Sequence, residues 1–181
     1  MKKLINATHV EGLIYNHTLE EKVSGPNSKT PGTKFISGTV EVATDNELIN
    51  IVPVHYTYVT ATTSTGKDNP TYTTLANIIN GTFKTIMSDG ADKATRIRID
   101  SAIGLNEFYS DRNGTEELVS VKRNEGGFAH TNGNFTDDET LRNTFDVDIV
   151  ITGVRHVDAD SDRGTDEKVI LKGAIFDFRN S

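Results

Sequence analysis

The sequence predicts a mostly β domain in which one helix interrupts a series of strands. Three observations predict it: apolar and polar residues alternate over 36–42, apolar residues take a helical spacing between Leu75 and Met87, and alternation returns at 95–100. A chain of 181 residues is long enough to bury the core of one such domain.

Three strands are predicted before the helix. Residues 10–23 form the first, and a loop rich in Pro and Gly follows at 24–32. In the second, at 35–42, Ile36, Val40 and Val42 share one face. The run 48–60 is rich in β-branched and aromatic residues and predicts the third strand. Pro53 within this run predicts a sheet edge or a bulge.

The helix is predicted over 74–88, with Gly90 as its cap and Gly81 as a weak point. Strands follow at 95–108 and 118–123, and Asn113-Gly114 between them is typical of a two-residue hairpin turn. After a polar loop at 125–138, strands at 145–157 and 168–178 flank an acidic turn. These last two strands predict a C-terminal β-hairpin.

Three strands, a helix and two strands is the order of an OB-type barrel, which has five strands and a helix between the third and fourth. We therefore predict a single OB-like domain over 1–181, with its core at about 8–123 and an extra C-terminal β-hairpin at 145–178. A jelly roll or another sandwich is the alternative, in which the helix is a crossover.

The net charge of -7 is concentrated in one part of the chain. Segment 137–167 holds ten acidic and three basic side chains, which accounts for the whole excess. The remainder is neutral on balance, so a basic face that binds polyanions is compatible with an acidic protein. The absence of cysteine, of a secretory segment and of a long apolar run predicts a cytoplasmic protein without a membrane partner.

No motif for catalysis or cofactor binding is found in the sequence. The five histidines are widely separated and show no H-E-x-x-H spacing, and G-x-S-x-G and P-loop signatures are absent. We therefore predict a protein that is not an enzyme and has no cofactor.

One acidic pattern suits a calcium ion. Asp158, Asp160 and Asp162 alternate in the turn of the last hairpin and offer hard oxygen ligands. An EF-hand loop needs Gly at its sixth position and Glu at its twelfth, where this chain has Arg163 and Val169. We interpret the segment as a solvated acidic turn. The alternative is a Ca²⁺ site in an adhesive or carbohydrate-binding sandwich.

Basic and aromatic residues on or beside the predicted strands are the strongest functional signal. Single-stranded nucleic acid is held by cations that follow the phosphates and by aromatic rings that stack on bases. The candidate nucleic-acid-binding residues are Lys22, Lys29, Lys34, Phe35, His55, Tyr56, Tyr58, Arg96, Arg98, Tyr109, Arg112, Lys122 and Arg123.

Some of these candidates have a structural alternative. Tyr56 and Tyr58 share the alternation of Val52 and Val54, which favours the core for one or both. Arg96 and Arg98 are compatible with a solvated face, or with ion pairs to Asp100 and Glu107. Phe35 faces away from Ile36 and Val40, so we expect it to be free for stacking.

The chain resembles the OB-fold single-stranded DNA-binding proteins of tailed bacteriophages. The resemblance lies in the segment from His9-Val10-Glu11-Gly12-Leu13-Ile14-Tyr15 through Gly32-Thr33-Lys34-Phe35-Ile36-Ser37-Gly38-Thr39-Val40-Glu41-Val42, and in the later helix. Those proteins are often acidic and usually end in an acidic, flexible tail that recruits replication partners. This chain departs from them, since its last residues, 175–181, are typical of a strand.

The leading hypothesis is a non-enzymatic protein that binds single-stranded DNA during phage or prophage replication or recombination. Its expected partners are single-stranded DNA and, as the resemblance implies, replication or recombination proteins; an oligomer is compatible with the sequence. The alternative from another class is a structural or protein-interaction β domain, such as a virion or tail component.

Overall fold

The computed structural model describes residues 4–112, 114–160 and 164–175, without the side chain of Arg112, and is mostly β as predicted. Within these ranges there are nine strands and two short α-helices. In chain order they are β1 (Asn6–His17), β2 (Glu20–Val23), β3 (Lys34–Ala43), β4 (Ile51–Thr60), α1 (Pro70–Ile79), α2 (Ile86–Asp89), β5 (Arg96–Arg112), β6 (Thr115–His130), β7 (Asn143–Val147), β8 (Ile149–Val157) and β9 (Lys168–Ile175).

The chain divides into two compact units. Residues 7–145 form the first, and the described residues of 4–6 and 146–175 belong to the second. The second unit contains an antiparallel two-stranded sheet of β8 and β9, so the predicted C-terminal hairpin is confirmed. None of the helices in the described ranges has the length and apolarity needed to cross a bilayer.

The large sheet has the order β2-β3-β4-β6-β5-β1-β7, and an additional pairing joins β3 to β1. The strands β1, β3, β4, β6 and β5 therefore form a closed ring. Its pairings are antiparallel except that of β4 with β6, which is parallel and limited to Val54 with Asn124 and His55 with Glu125.

A close approach of two backbones closes the ring between β1 and β3. A Cβ atom built on Gly12 would lie only 1.9 Å from the carbonyl oxygen of Ala43, so only glycine fits at this position of β1. Beyond it, β1 pairs with β3 from Leu13 to His17, while its first half pairs with β5. Gly12 thus lets one strand bridge two others.

The core lies inside the ring and follows the alternation of its strands. Ile36, Val40 and Val42 of β3 are fully buried, which confirms the predicted inner face. Leu75 and Ile78 of α1 pack against the same cluster, and each such side chain contributes about 1.5–3 kcal/mol through burial. The other buried apolar residues of the cluster are Val10, Ile14, Leu19, Val54, Tyr56, Ile97, Ile99 and Ala129.

The prediction of one helix over 74–88 is wrong in its bounds. Helix α1 begins at Pro70, where the side chain of Asn69 accepts a hydrogen bond from the backbone of Thr71 at 3.1 Å. It ends at Ile79, because Gly81 takes a positive φ of 73° that no helix continues through. A separate turn of helix, α2, follows and ends at Asp89, and Gly90 caps it as expected.

Candidate nucleic-acid interface

An aromatic pair lies on the outer side of the ring, where β3 pairs with β4. The ring centroids of Phe35 and Tyr58 are 4.4 Å apart and their planes are inclined by 35°. Lys22 of β2 is the cross-strand partner of Phe35 and lies on the same side of the sheet. On β3 and β4 the same side carries Thr39 and His55, which are also cross-strand partners. We call Lys22, Phe35, Thr39, His55 and Tyr58 the β3–β4 face.

A β-bulge separates the two tyrosines of β4. Where β3 advances by two residues, from Ile36 to Gly38, β4 advances by three, from Val59 to Tyr56. The extra residue reverses the alternation, so Tyr58 points outward and is 46% exposed whereas Tyr56 points into the core and is 3% exposed. Tyr56 is therefore corrected from a candidate binding residue to a core residue, because a base cannot reach it.

The loop between β2 and β3 is fastened to the exposed tyrosine. The Tyr58 hydroxyl is hydrogen-bonded to Ser24 Oγ at 3.0 Å and to Thr30 Oγ1 at 2.9 Å. The hydrogen bonds with Ser24 and Thr30 lower the pKa of Tyr58. Lys29 lies exposed on this loop, one residue before Thr30. The loop thus holds a cation near the aromatic pair.

Two lysines of this region, Lys22 and Lys34, are in exposed ion pairs. Lys22 Nζ is 3.3 Å from Glu20 and Lys34 Nζ is 3.4 Å from Glu21, and all four side chains are largely exposed. Such pairs contribute at most about 1 kcal/mol each, because water screens them and both side chains lose freedom. A phosphate group that displaces either carboxylate therefore meets little resistance.

A second basic cluster lies at the other end of the β3–β4 face. His55 Nδ1 is hydrogen-bonded to Thr39 Oγ1 at 2.9 Å, and burial together with the charge of Arg123 lowers the pKa of His55. Arg123 of β6 forms an ion pair with Glu125, with 2.5 Å between Nε and Oε1. Lys122, the preceding residue, is exposed. His55, Lys122 and Arg123 thus surround the short parallel seam of β4 and β6.

The remaining candidates of the β5–β6 hairpin lie on the long extension of these strands. Tyr109 is exposed and is the cross-strand partner of Leu118, and Arg112 ends β5. The side chain of Arg112 and the turn residue Asn113 lie outside the described residues, so the predicted Asn113-Gly114 turn is described only at Gly114. No hydrogen bond, ion pair or ring contact in the described part of the chain joins Tyr109 to the β3–β4 face.

Arg96 and Arg98 lie elsewhere, on the outer side of β1 and β5. Arg96 Nη2 is 2.8 Å from Glu11 Oε1, and the guanidinium of Arg98 is 2.9 Å from Asp100. The pair of Arg98 with Asp100 agrees with one sequence-based alternative. These two arginines do not join the other candidates on the β3–β4 face, since each lies beside a carboxylate on another side of the ring.

Glu11 is the centre of this second region and was missed by the sequence analysis. It is 2% exposed, and its Oε1 accepts hydrogen bonds from Arg96 and from the backbone of Thr136 at 2.7 Å. Its Oε2 is 3.6 Å from Nε2 of His9. The sequence contains a signal for this burial: Glu11 lies within an otherwise apolar strand, and another predicted strand carries arginines that are able to pair with it. We call His9, Glu11, Arg96, Arg98 and Asp100 the β1–β5 face.

The segment 135–142 covers part of the β1–β5 face. Arg96 donates a hydrogen bond to the carbonyl oxygen of Thr136, and its guanidinium lies 5.0 Å from the ring centroid of Phe135. The buried Arg142, also missed from the sequence, donates to Thr136 O and to Asn46 Oδ1 at 3.2 and 3.0 Å. These side chains fasten the segment to the ring.

Asp100 is the second carboxylate of the β1–β5 face and contacts both His9 and Arg98. Burial acts to raise the pKa of Asp100, but hydrogen bonds and charge from His9 and Arg98 outweigh it, so the pKa is lowered. His9 Nδ1 is 2.9 Å from Asp100 Oδ1. The face therefore matches each cation with a nearby carboxylate and offers no free basic surface among its described side chains.

The calcium candidate is only partly described. Asp158 and the bridge of Asp160 with Thr165 are in the structure, whereas Asp162 lies outside the described residues. Within residues 4–112, 114–160 and 164–175, no group of three acidic or histidine side chains is arranged to hold a metal ion.

Comparison with known proteins assigns the family. A family model described as YorF matches residues 4–181, so the chain belongs to the YorF family. No curated protein matches the chain. The family description names no activity.

Proposed function

We propose that this chain binds single-stranded DNA on the β3–β4 face and catalyses no reaction on it. The observation that carries the proposal is the pair of the half-buried Phe35 and the exposed Tyr58, with Lys22 beside it and Lys29 on the loop fastened to it. The resemblance to phage proteins supplies the setting, which is protection of DNA during phage or prophage replication or recombination.

We also propose that the closed ring is an OB-type barrel. In its order β1-β3-β4-β6-β5, the first strand pairs with the fourth, β5, and helix α1 lies between the third and fourth strands along the chain. OB-type barrels bind oligonucleotides on strands two and three and on the loops after strands one and four. Under this assignment the β3–β4 face and the loop of Lys29 occupy the expected positions.

Base stacking and phosphate contacts contribute separately to binding on this face. Each base that stacks on an aromatic ring contributes about 1–3 kcal/mol, whatever its identity, because every base has a π face. The lysines attract the phosphates, and this attraction falls with salt because bound counterions are released. The face therefore fits single-stranded DNA with little sequence preference.

The test is fluorescence anisotropy of labelled oligo-dT at low and moderate salt, with Phe35→Ala as the variant. Loss of one stack lowers the affinity about 5- to 150-fold. Phe128→Ala is the matched control, because Phe128 is an exposed phenylalanine beside Asp100, on the β1–β5 side of the ring. Absence of salt-sensitive binding by the intact chain at micromolar concentration rejects the proposed function. An equal loss in both variants rejects the face.

A protein-interaction or structural β domain is the second candidate, and one observation favours it. Several large apolar side chains of the last hairpin are exposed, which is typical of surfaces that contact proteins. They are Ile149, Val150, Ile151, Val154, Val169 and Leu171. This role is compatible with DNA binding, since the hairpin belongs to the other compact unit.

A further inference from the structure

A cavity of about 410 Å³ lies beside the last residues of β1 and α1. His17, which ends β1, lines one side of it, and Ile78 and Ile79, which end α1, line another. Phe83 and Met87, from the segment after α1, also contribute to its wall. The volume is in the range of small-molecule sites, which begins at about 300 Å³.

A β-bulge in β1 determines the side on which His17 lies. Between Ile14 and Asn16, β1 advances by two residues while β3 advances by one. His17 is therefore the cross-strand partner of the fully buried Val40 and shares its face. Without the extra residue, His17 would lie on the outer side of the ring. The bulge thus places an imidazole on the inner side, next to the apolar core.

The imidazole of His17 offers one hydrogen-bond donor. Its Nδ1 accepts a hydrogen bond from the backbone N–H of Leu19 at 3.2 Å, so the proton of the neutral ring is on Nε2. Burial lowers the pKa of His17 below its usual value, which keeps the ring neutral at neutral pH. Among the residues that the structure describes, none is hydrogen-bonded to this Nε2. The donor is therefore available to a ligand.

The turn after α1 supplies an aromatic wall. Gly81 takes a positive φ of 73°, and the backbone N–H of Phe83 then donates to the carbonyl oxygen of Asn77 at 2.9 Å. The chain thus returns, and the Phe83 ring packs against the core cluster that includes Ile78, which is 2% exposed. Met87 is 62% exposed and lies at the open side. The cavity therefore combines an apolar floor, an aromatic ring and an entrance.

The charge of the lining restricts the ligand. None of the described residues that line the cavity is charged at neutral pH, and besides His17 its polar residues are Asn16, Thr85 and Ser88. A charged ligand would lose its hydration there without gaining a counter-charge. An aliphatic ligand would leave the His17 donor unsatisfied. The lining therefore fits an uncharged ring that carries a hydrogen-bond acceptor.

We propose that this cavity binds a nucleobase, an uncharged ring with acceptors along its edge. Unpaired bases are recognised by stacking on aromatic side chains and by hydrogen bonds to their edges, and Phe83 and His17 supply one of each. A free nucleoside and a nucleotide of a bound strand present this same chemistry. The cavity shares no residue with the β3–β4 face, so the inference does not depend on DNA binding there.

The test is a titration of the full chain with thymidine, followed through the NMR signals of the His17 ring and the Ile78 methyl groups. Ligands of this size bind weakly, so the titration extends to about 10 mM. We expect both sets of signals to shift. In His17→Phe the affinity, read from Ile78, should fall about 2- to 12-fold, because the donor is lost while an aromatic ring remains. His130→Phe is the matched control, since His130 is also half-buried but lies on β6, outside the cavity.

Met87→Trp tests the cavity without changing a buried residue. Because Met87 is exposed, this variant should fold, and its indole should block the entrance and abolish the thymidine shifts. Far-UV circular dichroism checks that the variants keep their strands. Deoxyribose, which lacks a base, is the control ligand. The proposal is overturned if thymidine causes no shifts, if deoxyribose causes equal shifts, or if both cavity variants keep the affinity of the unmodified chain.

Oligo-dT distinguishes the two sources of the base. If oligo-dT shifts the same His17 and Ile78 signals, the cavity takes a base of a bound strand, and if only thymidine does so, it takes a free nucleoside. Phe35→Ala, which alters only the β3–β4 face, should leave thymidine binding unchanged. Thymidine binding without any oligo-dT binding rejects the proposed function alone, and oligo-dT binding without thymidine shifts rejects this inference alone.

Discussion

The β3–β4 face and the β1–β5 face hold similar residue types in opposite environments. On the β3–β4 face, Lys22 is exposed with a weak ion pair, and beside it lies an aromatic pair in which Tyr58 is exposed and Phe35 is half-buried. On the β1–β5 face, Arg96 is held against the buried Glu11 and covered by residues 135–142. The neighbouring strand, rather than the basic residue itself, therefore decides whether a cation is free for a ligand.

The largest expected effect is a difference in the free energy of unfolding between variants of the two arginines on the β1–β5 face. Arg96→Ala leaves Glu11 buried without its cation, and breaking a buried pair costs about 3–5 kcal/mol of the free energy of unfolding. Arg98→Ala breaks a pair that is more than a third exposed on both sides and costs at most about 1 kcal/mol. Urea denaturation measures both, and equal losses would contradict the buried role of Glu11.

The comparison also shows what the sequence could predict. The inner side of β3 was predictable, because a strand with one buried face alternates and Ile36, Val40 and Val42 show that alternation. Phe35 followed as an outward residue for the same reason. These features depend on local periodicity, which the sequence carries directly.

Other features depend on pairing and were not predictable. The separation of Tyr56 from Tyr58 comes from an extra residue in β4 opposite β3, which no alternation rule contains. The burial of Glu11 depends on Thr136, 125 positions away in the chain. The end of α1 depends on Gly81, which the sequence analysis treated as a weak point of a longer helix rather than as a stop.

The next largest effect is expected on the affinity for oligo-dT, when the two tyrosines of β4 are compared. Tyr58→Phe removes the hydrogen bonds to Ser24 and Thr30, so the loop of Lys29 loses its fixed position and the affinity for oligo-dT falls about 2- to 12-fold. Tyr56→Phe is the matched control, because it removes the same group from the core. Anisotropy titration distinguishes them, and a larger binding defect in Tyr56→Phe would contradict the assignment of the β3–β4 face.

Tyr56→Phe has an effect of its own on stability. The Tyr56 hydroxyl is buried without a hydrogen-bond partner among the described residues, and burial raises the pKa of Tyr56 well above its usual value. Removing an unsatisfied buried group relieves a cost of about 1 kcal/mol or more, so the variant should be more stable. A lower midpoint in urea would contradict this expectation.

A smaller effect is expected from Lys29, the cation of the loop between β2 and β3, on the salt dependence of DNA affinity. Lys29→Ala removes one phosphate contact, which reduces the slope of log affinity against log salt by about 0.7 for a single strand. Lys93→Ala is the control, because Lys93 is exposed in the segment after α2 and takes no part in the β3–β4 face. If both variants keep the slope of the unmodified chain, Lys29 does not contact phosphate.

The smallest expected effect is a pH dependence of stability from the β3–β4 face. Burial and the charge of Arg123 lower the pKa of His55 below 6.5, so the unfolded chain binds its proton more readily than the folded chain. The contribution of neutral His55 is thus fully present above pH 6.5 and is lost as the pH falls through the lowered pKa. His55→Gln should flatten this loss. Urea denaturation between pH 7.5 and pH 5 compares the two chains, and a stability difference that does not change with pH would show that His55 is not the responsible group.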